Sequence, residues 1–174
     1  MRIVILCGGL GTRLGPLARE RPKYLVPILG RPFCDWQLEL LLSQGFDQFT
    51  LCIGHLGAQI KSHVEYRWRD LDVKFSDEGG LQRGPWQAYR RARIKDRHAV
   101  IYGDSYLPLT PEFVKKCWDD PRRVYLRWRG EDFGIRFLSD AKDRRTLESP
   151  IPWHEVGTPE GIAELENYLQ GAAG

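Results

Sequence analysis

Residues 8–13 combine glycines with a threonine and an arginine, and Lys23 follows a short distance along the chain. Glycines have no β-carbon to keep a ligand away from the backbone, so consecutive N–H groups can point at one anion. Arg13 adds a planar fork of donors for phosphate oxygens, and Lys23 adds a compact charge on a flexible stem. This stretch, from residue 6 to residue 30, therefore predicts a site that binds phosphate groups.

The glycine pattern differs from the two best-known phosphate-binding loops. A P-loop closes on Gly-Lys-Ser/Thr, and a dinucleotide fingerprint reads Gly-x-Gly-x-x-Gly at the start of a helix. Here Gly-x-Gly is followed by Thr12 and Arg13. An ordinary glycine turn after a first strand is the alternative, but the added threonine, arginine and Lys23 favour the phosphate site.

Strand-like and helix-like segments alternate over the first hundred residues. Short apolar runs bounded by glycine predict strands, and apolar residues at helical spacing predict helices. The order predicts an α/β fold with a largely parallel sheet and right-handed crossovers. The strands are expected at 2–7, 48–53, 73–76 and 98–102, and the helices at 33–44, 57–69 and 86–94.

The polar loops of this pattern follow strands. Ligands of open α/β sheets bind at the carboxyl ends of the strands. The glycine loop 8–15, the loop 77–85 and Asp104 all occupy such positions, so we expect them to face one pocket.

The second half of the chain is less regular. A short helix is expected at 111–118, and strands at 123–128 and 133–138 are expected to pair antiparallel. Residues 139–152 have no assignment. Thr158 and Pro159 predict the N-cap and first residue of a final helix that runs to about residue 169.

Composition indicates one cytoplasmic domain. The chain has 174 residues with 42% hydrophobic residues, enough for a single core over 1–174. No stretch reaches the length of a membrane span and the first residues do not read as an export signal, so we expect no membrane partner. The cysteines, without a Cys-x-x-Cys pair, are expected to be reduced and mostly buried; they are Cys7, Cys34, Cys52 and Cys117.

Arginine clusters at 90–93, 122–123 and 127–129 raise the possibility of a nucleic-acid partner. The net charge is only +3, and 23 acidic residues are spread among the cations. An ion-paired, solvated surface is therefore favoured over a nucleic-acid face.

Several motifs together resemble the sugar-1-phosphate nucleotidyltransferases, also called nucleotide-sugar pyrophosphorylases. Residues 8–14 and 22–27 look like the opening motif of that family, and residues 30–33 continue it. Residues 53–60 are similar to its second helix entry, and residues 103–105 match its metal-binding strand end. Residues 153–160 resemble its closing motif, and the overall run looks nearest to the heptose-1-phosphate guanylyltransferase-like branch.

The resemblance implies a three-layer, Rossmann-like nucleotidyltransferase fold and a Mg²⁺-dependent enzyme. It would join an NTP and a sugar 1-phosphate, or a similar small phosphate, to give an NDP-sugar and pyrophosphate. A phosphate monoester is mostly ionised at neutral pH, because its second pKa is about 6, so no general base is needed. Alignment and positive charge are what the protein must supply. A homo-oligomer is compatible with the resemblance.

The resemblance also assigns roles to residues. Arg13, Lys23 and Asp104 would be catalytic. The nucleotide would be held by Leu6, Gly8, Gly9, Gly11, Thr12, Arg13, Glu78 and Gly84. The acceptor would be held by Lys23, Gly134 and Glu148, and Mg²⁺ by Asp104 and Glu155, since this hard cation prefers oxygen ligands.

Four features of the sequence leave alternatives open. Glu155 stands where most relatives have aspartate, and it could simply be an acid beside a helix N-terminus. Likewise, Asp104 could be a strand-end turn residue, and the loop 77–85 an ordinary turn. The acceptor segment at about 105–152 is short, so a weak or inactive relative that binds a nucleotide or nucleotide-sugar, as a sensor or partner subunit, is a second hypothesis.

An aromatic set in the second half of the chain could stack on an acceptor, but packing in the core or at an interface is the favoured interpretation. Its members are Trp118, Tyr125, Trp128 and Trp153.

Overall fold

The computed structural model describes residues 1–77 and 85–172. The strands are β1 (Arg2–Leu6), β2 (Pro27–Ile28), β3 (Arg31–Pro32), β4 (Gln48–Ile53), β5 (Asp72–Asp77), β6 (His98–Tyr102), β7 (Ser105–Tyr106), β8 (Arg123–Trp128), β9 (Glu131–Leu138), β10 (Arg144–Glu148) and β11 (His154–Glu155). The helices are α1 (Phe33–Ser43), α2 (Gly57–Arg67), α3 (Pro85–Ala92), α4 (Pro111–Asp119) and α5 (Pro159–Ala172). Short 3₁₀ segments cover Thr12–Ala18 and Lys23–Leu25.

A seven-stranded sheet in the order β10-β8-β9-β6-β1-β4-β5 is the centre of the described chain. β1 pairs parallel with both β4 and β6, and β9 pairs antiparallel with both β6 and β8. Because β5 is parallel to β4 and β10 is parallel to β8, every strand of this sheet except β9 points the same way. The expected α/β fold with a mostly parallel sheet is confirmed.

The central strands are buried on both faces, which explains their continuous apolar sequences. Ile3 and Ile5 of β1 belong to the larger core, where α1 and α2 pack. Val4 and Leu6 of the same strand belong to a smaller core under α3. Alternate residues of a strand thus meet helices on opposite sides of the sheet, as period-two alternation requires.

A glycine ends helix α1. Gly45 has a φ of 91°, in the left-handed region that glycine adopts without strain. Its N–H donates to the Leu42 carbonyl, and the N–H of Phe46 donates to the Leu41 carbonyl. These bonds satisfy carbonyls left over at the end of the helix and turn the chain into β4.

Some element boundaries were predicted wrongly. Helix α2 ends at Arg67 rather than at residue 69, α3 covers Pro85–Ala92 rather than 86–94, and α5 continues to Ala172. Residues 139–152, which had no assignment, contain the edge strand β10.

All four cysteines are free and buried, as expected. Within the described ranges, no helix is long and apolar enough to cross a membrane.

Candidate active site

The glycine loop leaves the sheet at the carboxyl end of its central strand. The Cys7 N–H donates to the Cys52 carbonyl at 3.0 Å, and the Gly103 N–H donates to the Leu6 carbonyl at 2.9 Å. The ends of β4 and β6 therefore flank the start of the loop. A β-carbon at Gly8 would lie 3.2 Å from the Gly54 nitrogen, so the loop runs close to the end of β4.

Two glycines of the loop have different surroundings. Gly11 has a φ of 65°, and a β-carbon there would come within 2.9 Å of the Ala18 β-carbon. Gly9 has open space in front of it and is exposed. Gly11 therefore shapes the turn, whereas Gly9 leaves room for a ligand to reach the backbone. Thr12 begins the 3₁₀ segment that follows.

Lys23 and Asp104 meet across the end of the sheet. The Lys23 Nζ lies 2.5 Å from Asp104 Oδ2, and the two side chains are 13% and 22% exposed. Asp104 lies in the two-residue turn between β6 and β7, and Lys23 begins the second 3₁₀ segment. A half-enclosed ion pair of this kind is screened less by solvent than one on the surface. The predicted phosphate-binding lysine and the predicted metal-binding aspartate thus share one place.

Arg13 and Glu155 form a second ion pair, between Arg13 Nη2 and Glu155 Oε1. Two-residue strands bring Glu155 there, since it pairs with Ser105 in the antiparallel pair of β7 and β11. The Val156 N–H also donates to the Asp104 carbonyl at 2.8 Å. The two predicted metal ligands therefore lie on adjoining backbone segments, each held by a cation.

The absence of a side chain at Gly157 leaves room for the Arg13–Glu155 ion pair. A β-carbon there would lie 2.3 Å from Glu155 Oε1 and 2.6 Å from Arg13 Nη2. The contact requires a residue without a side chain at this position, and the sequence reasoning did not single it out.

Gln37 is a second residue that the sequence reasoning missed. It is fully buried on α1, and its Nε2 donates to the carbonyls of Tyr102 at 3.0 Å and Ser105 at 2.6 Å. These bonds fix the turn that carries Asp104. The available signal was a polar residue next to Leu38 in a largely apolar helix, where burial requires hydrogen-bond partners.

A small cleft of about 90 Å³ opens at this end of the sheet. It is lined by Leu6, Cys7, Gly9, Lys23, Tyr102, Gly103 and Asp104. Burial raises the pKa of the Cys7 thiol, which donates to the Cys52 carbonyl. The thiol therefore stays protonated, and it is not a nucleophile.

Gly134 packs against the ring of Tyr102, a residue that lines the cleft. Its φ is 84°, and a β-carbon would lie 2.1 Å from Cδ2 of the Tyr102 ring. The β6–β9 register, which pairs Val100 with Arg136, places Gly134 beside Tyr102. The side chain of Tyr102 thus occupies the space that the glycine leaves.

The structure does not bring Glu148 to the cleft. It ends β10, the edge strand, and is exposed. Three strand spacings, roughly 14 Å in all, separate β10 from β6. Glu78 and Gly84, the predicted base contacts, lie outside the described residues.

The aromatic set mostly packs inside the protein. Trp118, Trp128 and Trp153 pack against the larger core, and Trp118 meets Phe46 edge to face at 6.3 Å. Tyr125 lies under the Arg136 guanidinium at 5.6 Å. This arrangement agrees with the packing interpretation.

A parallel α/β sheet with a glycine loop, two cations and two carboxylates at its carboxyl end is the arrangement of a nucleotidyltransferase. Residues 3–149 match the model of the MobA-like NTP transferase domain family. The chain belongs to this family, and the resemblance noted from its motifs is confirmed.

Named relatives fall in several nucleotidyltransferase classes. The chain is 37% identical over 180 residues to a choline-phosphate cytidylyltransferase of Streptococcus pneumoniae, covering 95% of this chain and 75% of that protein. It is 35% identical over 110 residues to a D-glycero-alpha-D-manno-heptose 1-phosphate guanylyltransferase of Campylobacter jejuni, covering 63% and 50% of the two chains. A UTP–glucose-1-phosphate uridylyltransferase of Synechocystis is 36% identical over 85 residues, which are 48% of this chain and 22% of that one. The chain thus spans half or less of the last two relatives.

Solved structures share the fold. HddC from Yersinia pseudotuberculosis has a TM-score of 0.79 at 19% identity, covering 97% of this chain and 99% of that one. A UTP-bound UGPase from Acinetobacter baumannii has a TM-score of 0.80 at 12% identity, covering 97% and 92%. The expected nucleotidyltransferase fold is confirmed by these neighbours.

Proposed function

We propose that the protein is a Mg²⁺-dependent nucleotidyltransferase that joins an NTP to a sugar 1-phosphate or a similar small phosphate. An oxygen of the acceptor phosphate attacks the α-phosphorus of the NTP. The bond from that phosphorus to the bridging oxygen of the β-phosphate breaks, and pyrophosphate leaves with the electron pair. The products are an NDP-linked acceptor and pyrophosphate.

The observation that carries this proposal is the double ion pair at the end of the sheet. Lys23 pairs with Asp104 and Arg13 pairs with Glu155, beside the glycine loop. A reaction between two phosphates needs cations to draw the anions together and a fixed geometry for in-line attack. These residues supply both requirements without a nucleophilic side chain.

The residues present fit Mg²⁺. Asp104 and Glu155 are carboxylates on adjoining backbone segments, and Mg²⁺ is bound by one or two carboxylates together with substrate phosphates. When bound, this ion neutralises phosphate charge and helps to stabilise the charge that develops on the leaving group. Glu155 is one methylene longer than aspartate, and the space at Gly157 accommodates its carboxylate beside Arg13.

The chain's own cations have separate roles in this proposal. Arg13 is 58% exposed and can leave Glu155 for the outer phosphates of the NTP. Lys23 is more enclosed, next to Gly9 and Asp104 in the cleft. It holds the α-phosphate and the acceptor phosphate together, where charge changes during attack.

Pyrophosphate release should be measured for each of four NTPs with glucose 1-phosphate, a heptose 1-phosphate and choline phosphate. The last acceptor is included because the similarity to a choline-phosphate cytidylyltransferase covers 95% of the chain. We expect one NTP and acceptor pair to stand out, with Asp104→Asn lowering its turnover by about 10²-fold or more. Asp70→Asn, at an exposed surface position, is the matched control. Full activity in Asp104→Asn would overturn the metal assignment.

The second candidate is a relative without turnover that binds a nucleotide or nucleotide-sugar as a sensor or partner subunit. Its supporting observation is the position of Glu148 at the far edge of the sheet, which leaves a predicted acceptor contact distant from the cleft. Calorimetry separates the two candidates. Binding of NTP without pyrophosphate release for any acceptor supports this second candidate over the first.

A further inference from the structure

A second cavity, larger than the cleft at the glycine loop, lies at the C-terminal end of helix α3. Its volume is about 540 Å³. It is formed between the last residues of α3, the segment that follows them, and the strands β1, β4 and β5. The lining residues that carry charge are Arg2, Lys74, Arg91, Arg93, Lys95 and Asp96.

The charge of this cavity is strongly one-sided. Five of its side chains are cationic, and its single carboxylate, Asp96, accepts from Arg2 Nη1 at 3.1 Å. Thr50 adds a hydroxyl to the wall of the cavity. Cations gathered around a concave surface raise the local concentration of anions. We propose that this cavity binds a compact polyanion, a small molecule with two or more phosphate groups.

The backbone turns sharply at Arg93, directly after helix α3. Helix α3 ends at Ala92, and Arg93 then adopts a φ of 48°. Glycine is the residue that usually takes this left-handed position after a helix, because an L-residue is strained there. Arg93 occupies this position, and its side chain lines the cavity.

The size of the charged region favours a compact ligand over a nucleic acid. A volume of about 540 Å³ is within the ordinary range for small-molecule sites. A neighbouring cavity of about 370 Å³ shares Lys95 and Asp96 and adds Arg123 and Asp140. Its two cations and two carboxylates balance, so the excess of positive charge does not continue along the surface in that direction.

This site is separate from the proposed active site. Arg2 begins β1 and Leu6 ends it, so the length of the strand places about 13 Å between Arg2 and the glycine loop. Ser76, the lining residue level with Leu6 in the sheet, lies two strands away, roughly 10 Å. None of the cavity residues lines the cleft. The inference therefore does not depend on the proposed function.

Calorimetric titration with inorganic tripolyphosphate in the absence of Mg²⁺ tests the inference. The variant Lys74→Ala/Arg93→Gly removes two cations, and glycine suits the left-handed backbone at 93, so the fold should be kept. Lys116→Ala on α4, exposed on the other side of the sheet, controls for the loss of a surface cation elsewhere. Arg13→Ala/Lys23→Ala removes the cations of the other phosphate site.

We expect wild type and Lys116→Ala to bind tripolyphosphate at two sites. Lys74→Ala/Arg93→Gly should lose one of them, with at least a tenfold weaker affinity, and should keep the site that Arg13→Ala/Lys23→Ala removes. Tripolyphosphate binding that is unchanged in Lys74→Ala/Arg93→Gly would overturn the inference. So would a cavity that takes up a single-stranded 20-mer oligonucleotide but no tripolyphosphate, because that result would indicate a nucleic-acid surface.

Discussion

The Nζ of Lys23 lies 2.5 Å from the Oδ2 of Asp104, so a lysine expected to bind phosphate neutralises an aspartate expected to bind metal. Each group neutralises the other in this structure, and in the proposed function a phosphate and a metal ion replace them as partners. Arg13 and Glu155 repeat the same relationship beside them. In the function that we propose, substrate binding at this site is therefore an exchange of ion-pair partners.

Removing Lys23 should make the site a better metal site and a poorer enzyme. In Lys23→Ala the Asp104 carboxylate loses its cation, so we expect Mn²⁺, followed by electron paramagnetic resonance without nucleotide, to bind severalfold more tightly. Pyrophosphate release should fall by about 10²-fold or more, because the charge on the reacting phosphates is no longer compensated. Lys116→Ala should change neither quantity. Equal Mn²⁺ affinity in wild type and Lys23→Ala would contradict the exchange.

Gly134 and Gly130 form a matched pair for testing the wall of the cleft. Both have a φ of 84°, but a β-carbon at Gly130 meets nothing within 4 Å, whereas one at Gly134 overlaps the Tyr102 ring. We expect Gly130→Ala to lower the free energy of unfolding by about 1–2 kcal/mol through backbone strain. Gly134→Ala should lower the free energy of unfolding by a further ~1–3 kcal/mol because of the overlap with the Tyr102 ring. Urea unfolding measures both values.

Tyr102 supplies the control for that prediction. In a Tyr102→Ala background the overlap disappears, so Gly134→Ala should cost about as much as Gly130→Ala. A Gly134→Ala cost that does not depend on Tyr102 would show that the ring is not what occupies this space.

The strands that are buried on both faces of the sheet can be predicted from the sequence. β1, β4 and β6 are short apolar runs, and their parallel order follows from the helices between them. β10 is different, since Arg144–Glu148 contains one apolar residue and pairs along an edge. Its strand conformation comes from backbone bonds to β8, which local sequence does not specify.

The same division applies to the candidate site. The glycine loop and Asp104 were expected at one edge, because each follows a parallel strand. The pairing of Arg13 with Glu155 depends on two strands of two residues each that are far apart in the chain. No local sequence pattern predicts such short strands. The roles given to these residues remain predictions.

Gly157→Ala should weaken the Arg13–Glu155 contact while leaving the protein folded. The added methyl group would press on the ends of two flexible side chains, which can move aside at small cost in stability. We expect kcat/KM for the NTP to fall about tenfold, equivalent to about 1.4 kcal/mol of transition-state stabilisation. Gly171→Ala, which meets nothing within 4 Å in α5, should leave kcat/KM unchanged. An unchanged kcat/KM in Gly157→Ala would show that the Arg13–Glu155 ion pair does not contribute to catalysis.

Two histidines should make the protein less stable as the pH falls below about 6.5. Burial lowers the pKa of His98 and that of His154 below the ordinary value. As the pH decreases through this range, the unfolded chain therefore takes up protons before the folded protein does, and the free energy of unfolding decreases. The carboxylates of Asp47 and Asp120 have lowered pKa values and stay charged over this window.

His98 allows the source of this pH dependence to be isolated. Its Nδ1 lies 2.6 Å from the Asp96 carbonyl and its Nε2 lies 2.9 Å from the Tyr89 hydroxyl. In the neutral ring Nδ1–H donates to the carbonyl, and Nε2 accepts from the hydroxyl. His98→Gln should reduce the slope of the urea midpoint between pH 7.5 and 5.5, whatever its effect on stability at pH 7.5. The remaining slope should come from His154, and an unchanged slope in His98→Gln would contradict the assignment to His98.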